Sequence, residues 1–118
     1  MNAHGFPNDV TILINSLGIG EDNPISAENL ETALIEGEVN VHRGGTNQDE
    51  TRDFVRQAII DHKLPIHSTR RGYFIIDSEP QFQATIAGME SRIDAYNARI
   101  QAVEEGWERR KMDPTFPK

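Results

Sequence analysis

The residue types that carry covalent or metal chemistry are absent or unsuitably spaced in this chain. It has no cysteine, which excludes thiol nucleophiles, disulfides and cysteine-ligated metals. Its four histidines do not have the spacing of a zinc site: His4, His42, His62 and His67. No nucleophile can be paired with a base, and no glycine-rich stretch completes a phosphate-binding loop. We therefore expect a protein that is not an enzyme and that uses no metal or cofactor.

Charge separates the chain into three parts. Residues 1–39 contain seven acids and neither lysine nor arginine, whereas residues 40–75 contain six basic residues and four acids. The whole chain carries a formal charge of −7. Because contacts to phosphate depend on local charge, only the middle part is expected to face a polyanion.

The first candidate binding segment of this middle part is a predicted helix over residues 49–64, which Pro65 ends. Its N-terminal end would present amide groups, which suit adenine, and guanidinium groups, which suit guanine. The candidate DNA-reading residues are Thr46, Asn47, Gln48, Arg52 and Arg56. The alternative is an exposed amphipathic helix on which Asp and Arg, three residues apart, only form solubilising pairs.

The second segment is a predicted β-hairpin. Two β-prone runs, Ile66 to Ser68 and Tyr73 to Ile76, flank a basic turn that contains glycine. Two adjacent arginines at its tip would reach the phosphate backbone or the minor groove. The candidate DNA-binding residues here are His67, Ser68, Thr69, Arg70, Arg71 and Tyr73. The alternative is an ordinary charged turn.

The elements that must position these segments follow from the apolar spacing, which gives the second helix a buried stripe that includes Leu30 and Leu34 and the third helix one that includes Val55 and Ala58. Residues 9–17 have one apolar face and predict an amphipathic helix that Asn8 or Asp9 could cap. A second helix is predicted to begin at Ser26, a good N-cap residue, and to end before Gly37. In the long linker, Val39 and Val41 alternate with polar residues, which predicts a very short strand. Thr46 or Asn47 is predicted to cap the third helix.

The C-terminal part carries an unbroken heptad pattern. Asp77 or Ser78 is expected to cap a long helix whose apolar residues recur at alternating steps of four and three. The candidate dimerisation residues are Phe82, Ile86, Met89, Ile93, Tyr96, Ile100, Val103 and Trp107. This pattern predicts a coiled-coil homodimer. The alternative is a helix whose first half packs on its own domain.

Two stretches, NPISAENLETAL (23–34) and TRDFVRQAIIDHKLPIHSTRRGYFII (51–76), resemble the small phage-type winged helix-turn-helix proteins. The order helix, short strand, helix, helix, hairpin is that of this family, whose members often continue into a long coiled-coil helix. The resemblance implies that the third helix reads the major groove and that the hairpin, or wing, holds the backbone. The 36–48 linker is longer than the tight turn of the family, and the third helix carries more acids.

We therefore expect an α+β, mostly α chain with a winged helix-turn-helix over 1–77, a dimerisation helix over 78–111 and a frayed tail over 112–118. The expected function is sequence-specific binding of double-stranded DNA by a dimeric phage or bacterial regulator or replication accessory. The alternative is a protein-binding module whose acidic first third docks a basic partner, or mimics nucleic acid to inhibit a DNA-binding enzyme. No apolar run approaches the ~20 residues of a membrane span, and the N-terminus lacks a secretory signal, so we expect a cytoplasmic protein without a membrane partner.

Overall fold

Four helices and three short strands alternate along the chain in the computed structural model, which describes residues 5–45 and 47–115. The fold is α+β and mostly helical, as the sequence predicted. In chain order the elements are α1 (Asn8–Ser16), β1 (Gly18–Ile19), α2 (Ala27–Glu36), α3 (Asp49–His62), β2 (Ile66–Thr69), β3 (Gly72–Ile75) and α4 (Glu79–Met112). The chain divides into two compact units between Gln81 and Phe82.

Capping differs among the first three helices. The predicted cap of α2 is confirmed, because the Ser26 hydroxyl accepts a hydrogen bond from the Asn29 N–H at 3.1 Å. The predicted caps of α1, Asn8 and Asp9, and the predicted Asn47 cap of α3 are wrong. Pro7 precedes α1 without a side-chain cap, and Gln48 precedes α3 in a left-handed conformation. The other predicted cap of α3, Thr46, lies outside the described residues.

The short strand predicted at Val39 and Val41 is absent, and a short strand forms at another place in the chain. Val39 and Val41 are buried but form no strand, because the Val41 N–H bonds to the Val39 carbonyl at 2.8 Å rather than to a neighbouring chain segment. The strand β1 comes instead from the two residues that follow Leu17 after α1. Its two residues pair with β3 in parallel.

The three strands form one sheet in the order β1-β3-β2. Strands β2 and β3 form the predicted hairpin, with Thr69 opposite Gly72 at its closed end. The segment before α2 joins the same sheet, since Ile25 exchanges two backbone hydrogen bonds with Tyr73, at 2.8 and 2.9 Å. This bridge fastens the N-terminus of α2 to the hairpin.

A hydrophobic core joins the three short helices to the hairpin. Leu13, Leu30 and Leu34 are fully buried at its centre, and Val55 of α3 packs into the same cluster. These residues lie on the apolar faces that the sequence predicted for α1, α2 and α3. The core therefore fixes α3 and the hairpin within one unit.

A buried carboxylate fastens the long linker between α2 and α3. Glu31 is only 1 % exposed, and its Oε2 accepts the Gly44 N–H at 3.0 Å. The Arg43 guanidinium lies 4.0 Å from the same carboxylate and also donates to Thr32. An irregular linker of this length is thus tied to α2 by side-chain bonds rather than by strand pairing.

The second unit consists mainly of the long helix α4. With 34 residues, α4 is about 51 Å long, and its bounds lie within one residue of the predicted 78–111. Residues 113–115 follow as a turn, in which the Asp113 carboxylate accepts hydrogen bonds from the backbone N–H and the hydroxyl of Thr115. The last three residues of the predicted tail lie outside the described chain. Within the described ranges, no helix is both long and apolar enough to cross a membrane.

Candidate nucleic-acid interface

The N-termini of α2 and α3 meet the hairpin at a polar cleft. Its volume is about 230 Å³, and all three elements contribute to its wall. The lining residues are Ser26, Ala27, Glu28, Gln48, Arg52, Ser68, Thr69, Arg70, Gly72 and Tyr73. Two arginines from different elements and a single carboxylate therefore share one cleft.

The hairpin carries its arginines on a two-residue turn between Thr69 and Gly72. Gly72 takes the positive φ of the turn, +126°, so Arg70 and Arg71 need none. The Thr69 hydroxyl accepts the Arg71 N–H at 3.2 Å and stiffens the tip. Both arginines are exposed. This geometry presents two cations at the end of a short, hydrogen-bonded arm.

Arg52 approaches the cleft from α3. Its side chain is exposed, and its Nε donates to the Asn47 carbonyl at 2.7 Å. This bond holds the guanidinium beside the N-terminal turn of α3 and uses one of its several donors. The Asn47 residue itself is exposed at the same end of the helix. Arg52 and Asn47 thus stay available for contact with a ligand in front of α3.

The N-terminus of α2 adds a residue set that the sequence analysis did not select. Ser26 and Ala27 line the cleft, and the first N–H groups of a helix carry partial positive charge. Glu28 opposes this charge in the same turn. The signal that places α2 here is the bridge between Ile25 and Tyr73, which joins residues far apart in the chain. No local pattern could have revealed it.

Three of the predicted contact residues serve the fold instead. Gln48 is 7 % exposed, and its Nε2 donates to the Gly45 carbonyl at 2.8 Å. Tyr73 is 6 % exposed within the core. The His67 ring is half-buried and stands edge-on to Phe74, with ring centroids 5.6 Å apart. We leave these residues out of the interface that we propose below, and Thr46 lies outside the described chain.

Arg56 belongs to a different part of α3 from Arg52. It forms an ion pair with Asp53, 2.5 Å long, and both side chains line a separate cleft beside the linker. Glu50 lines that cleft as well. The structure therefore separates the two arginines of α3 that the sequence grouped together.

The exposed surface of α3 is rich in acids. These are Asp49, Glu50, Asp53 and Asp61. One of them has a histidine partner, since the His42 ring lies 3.0 Å from Glu50, and this hydrogen bond holds the pKa of the Glu50 carboxyl below its ordinary value. None of the four lines the cleft that holds Arg52 and Arg70. On the side of α3 that faces the hairpin, Arg52 is thus separated from the helix's acids, whereas Arg56 lies among them.

Metal-binding geometry is not found in residues 5–45 and 47–115, where no three His, Asp or Glu side chains are grouped around a common point. Comparisons with models of protein families, with curated proteins and with solved structures gave no significant match.

Proposed function

We propose that this chain is a winged-helix protein that binds double-stranded DNA through the cleft and the hairpin tip. Arg52 and Asn47 would face base edges in the major groove, and Arg70 and Arg71 would contact the phosphate backbone. The observation that carries the proposal is the convergence of Arg52 and Arg70 on one polar cleft. We place this activity in the cytoplasm, as that of a dimeric phage or bacterial regulator or replication accessory.

The arrangement of elements supports the winged-helix part of this proposal. The helices α2 and α3 follow each other before a basic hairpin, and β1 pairs with the second strand of that hairpin. In such an arrangement α3 is the helix that enters the groove, and the hairpin lies along the backbone. Ser68 and Thr69 line the cleft; the Thr69 hydroxyl donates to the Gly72 carbonyl within the hairpin, and the Ser68 hydroxyl adds a neutral donor for phosphate oxygens.

The local charge also favours this face over any other part of the first unit. The cleft holds two arginines and one carboxylate, and Arg71 stands next to it in the turn. Elsewhere the acids of residues 1–39 are exposed except for Glu31. A polyanion that approaches the unit is therefore attracted to the cleft and repelled by most of the remaining surface.

The experiment is a DNA-binding titration by fluorescence anisotropy at several salt concentrations, with duplexes first selected from a randomised pool. Replacing Arg70 and Arg71 together by alanine should weaken binding to every duplex and reduce the slope of log K against log salt by about 1.8, because two phosphate contacts are lost. Arg52→Ala should relax base preference by about 1–3 kcal/mol at one position.

Arg56→Ala is the matched control, because it removes an arginine from the same helix but from the other cleft. It should change neither the salt slope nor the base preference appreciably. Absence of duplex binding by the wild-type chain in about 50 mM salt, where phosphate contacts are strong, would refute the proposal.

A second function is favoured by the acidic surface of residues 1–39. Six of their seven acids are exposed: Asp9, Glu21, Asp22, Glu28, Glu36 and Glu38. A module that docks a basic protein, or mimics nucleic acid to inhibit a DNA-binding enzyme, would use this surface. Such a protein would bind no duplex of any sequence, whereas a DNA-binding protein loses affinity steeply as salt rises. The same titration therefore separates the two functions.

A further inference from the structure

The helix α4 presents a continuous apolar stripe to solvent. Seven of its eight heptad residues are between 43 and 65 % exposed in the single chain, and Ile86 is half-buried. We propose that this stripe pairs with the same stripe of a second copy, as a parallel, in-register, two-stranded coiled coil. The inference concerns α4 alone and does not depend on DNA binding.

The spacing of the stripe identifies the kind of surface that covers it. Apolar residues recur on average every 3.5 residues over the whole of 82–107, which produces a narrow seam rather than a broad face. A narrow seam fits another helix that follows the same path. A second α4 has that length and that spacing by necessity.

The residues within the seam indicate the number of strands in a parallel coiled coil. The alternating steps assign Ile86, Ile93, Ile100 and Trp107 to the a positions, and Phe82, Met89, Tyr96 and Val103 to the d positions. Three successive a positions are thus β-branched, whereas three of the four d positions are not. Among parallel coiled coils, β-branched residues at a with unbranched Cβ atoms at d favour two strands.

The charges that flank the seam favour the parallel direction. The g positions hold Arg92 and Arg99, and the e positions hold Glu90 and Glu104. The flanking positions between Gln83 and Gly106 that remain are uncharged. In a parallel pair each g residue faces the next e residue of the partner, so Arg99 meets Glu104 of the partner subunit twice by symmetry.

An antiparallel pair would place like charges together. In that arrangement g faces g and e faces e, so arginine would meet arginine and, when the seams overlap fully, Glu90 would meet Glu104 of the partner subunit. Like charges at close range are destabilising. The charge pattern therefore disfavours the antiparallel pair and supports the parallel one.

The absence of native cysteine makes a direct test possible, because a single introduced cysteine reports its own distance to the partner. In the full-length chain, Val103→Cys lies in the seam and should form a disulfide-linked dimer on mild oxidation, since equal positions meet in a parallel pair. Ala102→Cys lies one residue away, outside the seam, and should not. Mixing Ile86→Cys with Val103→Cys, which would be level in a fully overlapped antiparallel pair, should add no mixed species beyond background.

Three results would overturn the inference. A mixed Ile86–Val103 disulfide without the Val103 homodimer would show an antiparallel pair. Equal cross-linking of Val103→Cys and Ala102→Cys would show contact that does not depend on the seam. A wild-type chain that sediments as a monomer at tens of micromolar would show that no second copy covers the stripe.

A charge exchange tests the predicted ion pairs separately. Arg99→Glu should weaken dimerisation by about 2- to 30-fold, because two exposed pairs are replaced by repulsion. It also removes an arginine that lies over the Tyr96 ring of its own chain, 5.2 Å from the centroid. Glu104→Arg added to Arg99→Glu should therefore restore affinity only if the interchain pair exists. Failure of the double variant to recover would contradict the assigned register.

Discussion

Gly72 is the residue whose replacement should test the hairpin most severely. Its φ is +126°, which residues with a side chain rarely adopt. A Cβ at this position would lie 2.0 Å from the Ile25 carbonyl oxygen. That oxygen accepts the Tyr73 N–H at 2.8 Å, as one half of the bridge that fastens α2 to the sheet. Gly72→Ala must therefore displace Ile25 or rotate the hairpin.

The size of the effect follows from these two contributions. An unfavourable φ costs about 1–3 kcal/mol. Each of the two backbone hydrogen bonds between Ile25 and Tyr73 contributes about 0.5–1.5 kcal/mol. We expect Gly72→Ala to lower the free energy of unfolding of the first unit by about 2–6 kcal/mol. This is a large share of the about 5–15 kcal/mol that holds a typical domain together.

Gly45→Ala is the matched control, because Gly45 also has a positive φ, +66°, but no described atom lies within 4 Å of the position that the alanine methyl group would take. It should cost only about 1–2 kcal/mol. Hydrogen exchange of the Tyr73 amide, measured by NMR, reports the opening free energy of the bridge directly. If exchange accelerates no more in Gly72→Ala than in Gly45→Ala, the close approach of Ile25 does not constrain the hairpin.

Two further predictions concern contacts of the α3 side chains Glu50 and Thr51. Replacing His42 by alanine should raise the pKa of Glu50 toward its ordinary value in an NMR titration, because the ring hydrogen bond that lowers this pKa is lost. The pair stabilises the fold above the ordinary carboxyl pKa, and this stabilisation is lost as the pH falls through the lowered pKa of Glu50. An unchanged pKa in the variant would contradict the contact. Thr51 is fully buried, and its hydroxyl has no hydrogen-bond partner among the described residues. Thr51→Val should therefore raise the unfolding free energy in urea by up to about 1–3 kcal/mol, and a loss of stability would reveal an unseen partner.

The helices could be predicted from the sequence because their evidence is local. The apolar spacing of α1, α2 and α3 marked the faces that the core buries, and the Ser26 cap and the heptads of α4 placed two helix boundaries. The hairpin was also predictable, since a basic turn that ends in glycine lies between two β-prone runs. In each of these elements the decisive contacts join residues a few positions apart.

The strand β1 and the linker could not be predicted in this way. Two residues are too few to show a period, and β1 exists only through its pairing with β3. The alternation of Val39 and Val41 suggested a strand, yet both valines are buried in irregular chain that Glu31 holds from α2. Alternation of apolar and polar residues with a period of two indicates burial, but a strand forms only where a neighbouring chain segment can pair with it.

The residues of the candidate site also differ in whether local sequence or long-range pairing decides their exposure. The hairpin arginines could be selected from the sequence, because the tip of a tight turn is exposed wherever the hairpin lies. Tyr73 could not be recognised as buried, since Ile25, which pairs with it, is distant in the chain; Gln48 folds back onto the Gly45 carbonyl, which residue type alone does not indicate. The N-terminus of α2 was missed for the same reason. Residue type indicates which groups can bind, but long-range pairing decides which groups reach the surface.

The two proposals together account for how an acidic chain would bind DNA. At a formal charge of −7, a single chain has little non-specific attraction to phosphate, and its proposed arginine contacts are confined to one cleft and one hairpin tip. In a parallel coiled coil, the two copies of α4 begin at the same end of the helix pair, and each first unit is joined to its own helix there. Once one copy has bound, the second binds at a high effective concentration, so affinity increases without new basic residues. Ile100→Asp, which places a charge in the seam, should therefore weaken binding to a two-site duplex far more than binding to a one-site duplex, and equal losses on both would show that the copies bind DNA independently.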